Sequence, residues 1–241
     1  MVLSALMSEV LLFRDRIDAG EQLAKAINLA LVQVQVSGIV TQPIVYALPR
    51  GGLPVALPVA QLLHCPLSIL VAKKISHPKN PELAIGAVTA DGHVLWAEET
   101  PFYIPYSRRG KAALAAATAK AQSQLAQLSP ACPQVNAEGA IAIIVDDGIA
   151  TGMTIAVAAQ ALIAQNPAQI WLCAPLAPPS LIPWLEQWGD RVIVLETPAS
   201  FFSVSRFYAE FPQLETAEAL VYLQQHQQWL ADIHQNSPER T

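Results

Sequence analysis

Two adjacent carboxylates, Asp146 and Asp147, end a run of small apolar residues in the stretch AIAIIVDDGIATGMTIAVAAQAL, Ala140 to Leu162. Like charges side by side cost free energy unless cations or hydroxyl groups meet them. The loop that follows has a glycine at each end, Gly148 and Gly152, so its backbone N–H groups are free to face a ligand. A helix expected from Met153 onward adds the unpaired donors and the dipole of its N-terminus, which favour a phosphate. The hydroxyls of Thr151 and Thr154 can donate to the same anion. Asp146 and Asp147 can accept from the vicinal hydroxyls of a sugar. A phosphate cradle and a diol-binding acid pair, a few residues apart, describe a ribose 5-phosphate. No Gly-Lys-Ser/Thr follows, so the loop is not a Walker loop, and no Gly-x-Gly-x-x-Gly marks a dinucleotide fold. A receiver domain also groups aspartates but would not follow them with Gly-Ile-Ala-Thr-Gly. A tight turn capped by polar residues is the purely structural alternative.

Further candidates fall at other expected strand ends. ALPRGGLPVA (Ala47–Ala56) carries Arg50, Gly51 and Gly52. The glycines let backbone approach an anion closely, and a guanidinium can fork onto phosphate oxygens. Lys73 and Lys74 end the next apolar run, where cations would offset anionic charge. SHPKNPELAIGAV (Ser76–Val88), polar and bearing two prolines, reads as a mobile loop with Lys79 and Glu82 as its charged contributors. Such a lid would exclude water while charge develops on the sugar.

Positioning these groups requires alternating strands and helices. Asp15–Val36 reads as a helix, with Leu23, Ile27 and Leu31 at four-residue steps. Pro43–Leu48 reads as a buried strand, 53–63 as a helix, and Pro66–Lys74 as a second strand. Asp91-Gly92 lies between alternating runs within Ala84–Glu98, the signature of a hairpin. Ser107–Leu128 is helical by propensity. Then come the strand Ile141–Val145, a helix (Met153–Gln165), a strand (Gln169–Ala174), a short helix near 181–188, a strand (Arg191–Leu195) and a C-terminal helix over about 214–234. This order predicts an α/β fold, a parallel β-sheet flanked by helices. In such a sheet, ligands bind beyond the carboxyl ends of the strands, where every candidate above falls.

Composition is compatible with one large domain. The chain has 241 residues, 53% of them hydrophobic and 14% charged, ample for a buried core. Its net charge of −5 argues against nucleic-acid or anionic-membrane partners. Charged or polar residues interrupt every apolar run before membrane-spanning length, and the N-terminus lacks the marks of a signal peptide, so a cytoplasmic protein is expected. Cys65, Cys132 and Cys173 lack metal-type spacing and read as free thiols.

The acid-and-loop segment resembles the phosphoribosyl pyrophosphate (PRPP) motif of type I phosphoribosyltransferases. FRDRIDAG, LPRGG, PKNPELAIGAV, VDDGIATG and FYAEFPQ, in that order, are similar to a subgroup of bacterial proteins labelled predicted phosphoribosyltransferases of unassigned substrate. The likeness runs from about Phe13 to Leu223. It implies one phosphoribosyltransferase-like domain over 1–241, with a lid, hairpin and helix insertion at about 75–130 and a C-terminal helical cap segment at about 197–241. Asp146 and Asp147 would bind the ribose hydroxyls, and Ala150, Thr151, Gly152 and Thr154 the 5-phosphate. Arg50, Gly51, Gly52 and Lys74 would bind pyrophosphate, Lys74 being the lysine that matches the family's position. Phe207, Tyr208, Phe211 and Gln213 would cap the acceptor.

The activity this implies is displacement of pyrophosphate from PRPP by a nitrogen acceptor, a nucleobase being one class. Asp147, Lys74 and Glu82 would be its catalytic residues, with Asp147 as the base. Mg²⁺ would be the cofactor, touched by Asp146 or Asp147 through water rather than held in a dedicated cage. A homodimer is common in the family. Two other functions use the same donor site: PRPP sensing without transfer, and hydrolysis of a phosphoribosyl compound. The chain departs from the subgroup in AKAQSQLAQLSP, nearly chargeless where an Arg-rich stretch is usual, and in LETAEAL, less acidic than the pattern.

Overall fold

The computed structural model describes residues 11–36, 41–77, 80–101 and 103–236, leaving out the side chains of Pro81, Glu82, His234 and Asn236. The elements run α1 (Arg16–Val36), β1 (Pro43–Ala47), α2 (Gly52–Leu62), β2 (Leu67–Ile69), β3 (Ala72–His77), β4 (Asn80–Thr89), β5 (Val94–Trp96) and a short α3 (Tyr103–Tyr106). There follow α4 (Arg108–Leu128), β6 (Ile141–Val145), α5 (Met153–Ile163), β7 (Gln169–Leu176), a short α6 (Ile182–Leu185), β8 (Arg191–Glu196) and α7 (Thr216–Asn236).

Five strands form one parallel sheet in the order β2-β1-β6-β7-β8. Its two-residue alternation divides the core. Val45, Ala47, Ile141, Ile143, Val145, Trp171 and Cys173 face α1 and α2. Ile44, Tyr46, Ala142, Ile144, Ile170, Leu172 and Ala174 face α5. Both faces of β1 and β6 are therefore buried, which explains their continuous apolar sequences. The chain winds outward from β1 to β2 on one side and from β6 to β8 on the other. The strand order thus reverses between β1 and β6, and the crevice beyond their carboxyl ends is where such sheets bind ligands.

Pro66–Lys74, expected as one strand, is two. Leu67–Ile69 completes the parallel sheet beside β1, while Ala72 onward joins the antiparallel sheet β3-β4-β5. The expected mobile loop Ser76–Val88 is also largely strand, because Ser76, His77 and Asn80 to Val88 belong to the β3–β4 ladder. Burial on both faces explains the difference. Ile75, Ile85 and Val88 pack on Ile104 and Ala117, whereas Ala87 packs on Met153 and Val157 of α5. Lys79 lies outside the described residues, as does the side chain of Glu82. The hairpin at Asp91-Gly92 is present, with Gly86 opposite Trp96 and Val88 opposite Val94. Helix α4 starts where expected, and the Ser107 hydroxyl accepts from the Gly110 N–H at 2.9 Å as its N-cap.

At the opposite end of the chain, α7 lays Ala219 and Leu223 on the α1/α2 core. Ahead of it, Phe13 bridges to Tyr208, and the Ala209 N–H donates to the Phe13 carbonyl at 2.9 Å. This pairing brings FRDR and FYAEF together at the crevice. Cys65 and Cys173 are buried free thiols and Cys132 is half-buried; burial pushes the Cys65 thiol up to about 12. Among the described residues, no helix is long and apolar enough to cross a membrane.

Candidate functional site

The strand ends of β1 and β6 meet through their glycines. A Cβ on Gly51 would fall on the Asp147 carboxylate, and one on Gly52 would sit 2.6 Å from the Val145 carbonyl oxygen. The glycine pair therefore lets the turn after β1 close onto the acid pair. The Pro49–Arg50 peptide in this turn is cis. A cavity of about 380 Å³ opens there, lined by Arg50, Gly51, Asp146, Asp147 and Thr154 on the sheet side and by Phe211 to Leu214 opposite.

A second cavity of about 160 Å³ lies along Gly148–Gly152 and also touches Lys74, Asp146 and Thr154. Asp146 and Thr154 thus line both spaces. Gly152 caps α5 with φ +73°, the left-handed region, and a Cβ on it would meet the Trp184 ring at 2.5 Å. Only glycine fits there on both counts. Ala150, Thr151, Gly152 and Thr154 are therefore gathered around one small space at a helix N-terminus.

Electrostatics make the acid pair costly. Burial first, and then the neighbouring Asp147 charge, push the Asp146 carboxyl well above the usual carboxylate range, opposed by the Asp147 N–H, Lys74 and Arg16. Burial also raises Asp147, with Arg16 pulling the other way. The Arg16 Nε donates to Asp147 Oδ2 at 2.8 Å, with both side chains largely buried. The same guanidinium donates to the Pro212 carbonyl at 2.8 Å and lies 3.6 Å from the Phe211 ring centroid. The Tyr208 hydroxyl donates to the Asp147 carbonyl at 2.6 Å. Arg16, Asp147, Tyr208 and Phe211 form one connected wall.

Sequence reasoning assigned no role to Arg16, although a signal was present. The buried stripe of α1, Leu23, Ile27 and Leu31, continues back through Ala19 and Gly20 to Arg16. A cation in phase with an apolar stripe must find a buried partner. That partner, 131 residues away, was not visible locally.

The two lysines separate. Lys74, expected beside Arg50, lines the smaller cavity next to the Gly148–Gly152 loop. Lys73 instead shares a third space with Arg50. Neighbouring strand residues point to opposite faces, so the pair cannot serve one subsite. Phe207 and Tyr208 are buried against Phe13, while Phe211 and Gln213 reach the cavity beside the acid pair.

Residues 14–204 match the family described as the phosphoribosyl transferase domain. The chain belongs to the phosphoribosyl transferase family. A Mycobacterium tuberculosis protein, named "Putative phosphoribosyl transferase" in each of two strains, is 36% identical over 219 residues. That alignment covers 88% of this chain but 46% of the relative, so the chain spans about half the length of the curated relatives it matches. The crystal structure of TT1426 from Thermus thermophilus is 27% identical and superposes with a TM-score of 0.71, covering 88% of this chain and 98% of that one. The segment Phe207–Leu214 lies beyond the family match, so one wall of the cavity beside the acid pair stands outside the phosphoribosyl transferase domain as that family defines it.

Proposed function

We propose that this chain binds PRPP and transfers its 5-phosphoribosyl group to a nitrogen acceptor, releasing pyrophosphate. The observation that carries the reading is Asp146, which lies between a cradle at a helix N-terminus on one side and the Arg50–Gly51 turn on the other. The 5-phosphate would sit against Ala150, Thr151, Gly152 and Thr154, with Lys74 beside it. The ribose hydroxyls would donate to Asp146 and Asp147, and the pyrophosphate would lie on Arg50, Gly51 and Gly52. The acceptor would take the space bounded by Phe211, Gln213 and Leu214, where an aromatic face and an amide suit a planar heterocycle.

In the reaction, the C1–oxygen bond to pyrophosphate breaks and a C1–nitrogen bond forms through an oxocarbenium-like state. Positioning and charge stabilisation supply most of the acceleration. Arg16 occupies Oδ2 of Asp147. The other oxygen, Oδ1, would take the acceptor's proton. Burial holds that carboxyl's proton affinity above the ordinary range, which suits a base. Glu82 and Lys79 remain candidates for closure over the site.

The donor set also fits Mg²⁺. Asp146 and Asp147 are paired, largely desolvated carboxylates, and no cluster of three or more His, Cys, Asp or Glu able to hold a metal occurs among the described residues. Two carboxylates with no further protein ligand match an ion that keeps its waters and shares phosphate oxygens. When bound, Mg²⁺ would neutralise charge on the pyrophosphate.

Calorimetric titration with PRPP and Mg²⁺ tests the reading. Saturable binding is expected to the wild type and none to Asp146→Asn/Asp147→Asn, after which a screen of nitrogen heterocycles should find one that releases pyrophosphate. A folded wild type that does not bind PRPP would refute the proposal. Binding without release for any acceptor would leave a PRPP sensor, and release with water alone a hydrolase.

A further inference from the structure

Helix α7 is fastened to the body of the protein around a buried histidine. His226 is 1% exposed, and its Nε2–H donates to the Cys65 carbonyl, in the turn after α2, at 2.9 Å. A carbonyl can only accept, so the ring proton sits on Nε2 and the lone pair on Nδ1. That Nδ1 is buried and has no hydrogen-bond partner. Trp229, one turn further along α7, stacks on the His226 ring at 5.5 Å and on the His64 ring at 5.4 Å. The Gln227 amide donates to the Ala131 carbonyl at 2.8 Å. The other end of α7 serves the site. Arg50 reaches the Thr216 hydroxyl there at 3.4 Å, and the Phe211–Leu214 wall ends two residues earlier. Tyr208, bonded to the Asp147 carbonyl, holds the far end of that wall, so α7 is its second anchor.

A second proton on the His226 ring would go to Nδ1 and put a cation where water does not reach, which is costly without a partner. The groups around it offer none. From the turn after α2 come the exposed His64 imidazole, behind Trp229, and the Cys65 thiol, which burial pushes up to about 12. Cys132, next to Ala131, is likewise pushed up to about 11. Strand β2 brings no ionisable group. On α7 itself Tyr222 lies one turn back, while Glu218 and Asp232 lie eight residues before and six after His226. Each of these carboxylates already accepts a bond near its own end of the helix, Glu218 from the Glu215 N–H and Asp232 from Gln228. Arg50, Lys73 and Lys120 gather at Thr216, ten residues and so about 15 Å along the helix. Burial lowers the pKa of His226 from its ordinary 6.5, and the Cys65 bond opposes that.

We propose that His226 is an acid-sensitive latch, whose protonation at Nδ1 frees α7 from the turn after α2 and thereby loosens the Phe211–Leu214 wall. The docked helix needs a neutral ring, whereas the freed helix takes the proton at the ordinary value of 6.5. Docking is therefore complete above that pH and weakens as pH falls below it, by about tenfold per pH unit for one proton. His226 does this whether or not the site takes PRPP.

Amide hydrogen exchange, followed by mass spectrometry and corrected for the intrinsic rate at each pH, tests the latch on the whole chain. The proteins are the wild type, His226→Gln, which keeps an N–H for the Cys65 carbonyl but cannot titrate, and His64→Gln, which removes the exposed ring of the stack. In the wild type, the slowest amides of α7 should lose about tenfold in protection per pH unit below 6.5. Phe211–Leu214 should follow them, while β6 and α5 keep their protection. His226→Gln should show no such slope, and His64→Gln should keep it. Four results overturn the proposal: wild-type protection that ignores pH, an equal loss in β6, the same slope in His226→Gln, or a wall that stays protected while α7 opens. The second means general acid unfolding, the third another titrating group, and the fourth a helix that does not reach the site. If His226→Gln does not fold, the wild type decides alone, since α7 must open below pH 6.5 ahead of β6.

Discussion

Replacing Arg16 with Met keeps an unbranched side chain against Phe211 and removes the charge opposite Asp147. The pair is 2.8 Å apart, and its side chains are 9% and 15% exposed, so water screens it little. Removing one member of a buried pair costs about 3–5 kcal/mol, chiefly from the charge left behind. The residual exposure of Asp147 places the expectation near ~3 kcal/mol. At roughly 2–4 °C per kcal/mol for a chain of this size, Tm should fall by roughly 6–12 °C.

The pH dependence has a definite sign. Arg16 holds the Asp147 carboxyl down against burial, so its removal lets that carboxyl rise further above its ordinary value of 3.8. The folded variant then keeps a proton that the unfolded chain has already lost, and its stability falls as pH rises through that window. The deficit against wild type should be smaller at pH 5 than at pH 8. Urea denaturation at both pH values, combined in a cycle with Asp147→Asn, should give a coupling of about 2–3 kcal/mol at pH 8. A loss below about 1 kcal/mol, or the same loss with and without Asp147, would refute the account of Arg16 as the cation that sustains the acid pair.

Asp146→Asn should raise stability at pH 8 while weakening PRPP binding at least tenfold. Asn keeps an acceptor for the Asp147 N–H, which donates to Asp146 Oδ1 at 2.9 Å, and removes a desolvated charge. Because the folded carboxyl is raised above 3.8, wild-type stability declines as pH climbs through the raised value, so the variant's advantage in thermal melts should shrink toward pH 4. Gly152→Ala should cost about 2 kcal/mol or more, since Ala pays for φ +73° and its Cβ meets Trp184. Trp184→Leu in that background should recover only the contact part, and complete recovery would show that the left-handed backbone carries no cost.

Much of the site could be read before any tertiary information. Apolar runs Pro43–Ala47 and Ile141–Val145 declared buried parallel strands because neither alternates, and residues that follow such strands sit at the ligand-binding edge. Gly148 to Thr154 could be read as a candidate anion site from local chemistry alone, since a loop, a helix N-terminus and two hydroxyls are near one another in sequence. The loop reading went astray at Ser76–Val88, where prolines and polar residues outweighed the apolar residues Ile85, Ala87 and Val88. Their burial depends on two helices, α4 and α5, contributed from elsewhere in the chain. The split of Pro66–Lys74 between two sheets was likewise invisible, because strand propensity does not say which neighbour a strand will pair with.

The sequence by itself determined the fold class, the acid pair, the phosphate-type loop and the glycine pair at Gly51-Gly52, because each rests on period, spacing or residue size within one short segment. Only the tertiary structure decided which charges meet. It brought Arg16 to Asp147 across 131 positions, sent Lys73 and Lys74 to different cavities, and turned Lys120 toward Arg50. Ion pairing and desolvation depend on distance in space and on what excludes water, and neither quantity is encoded in any single stretch of chain.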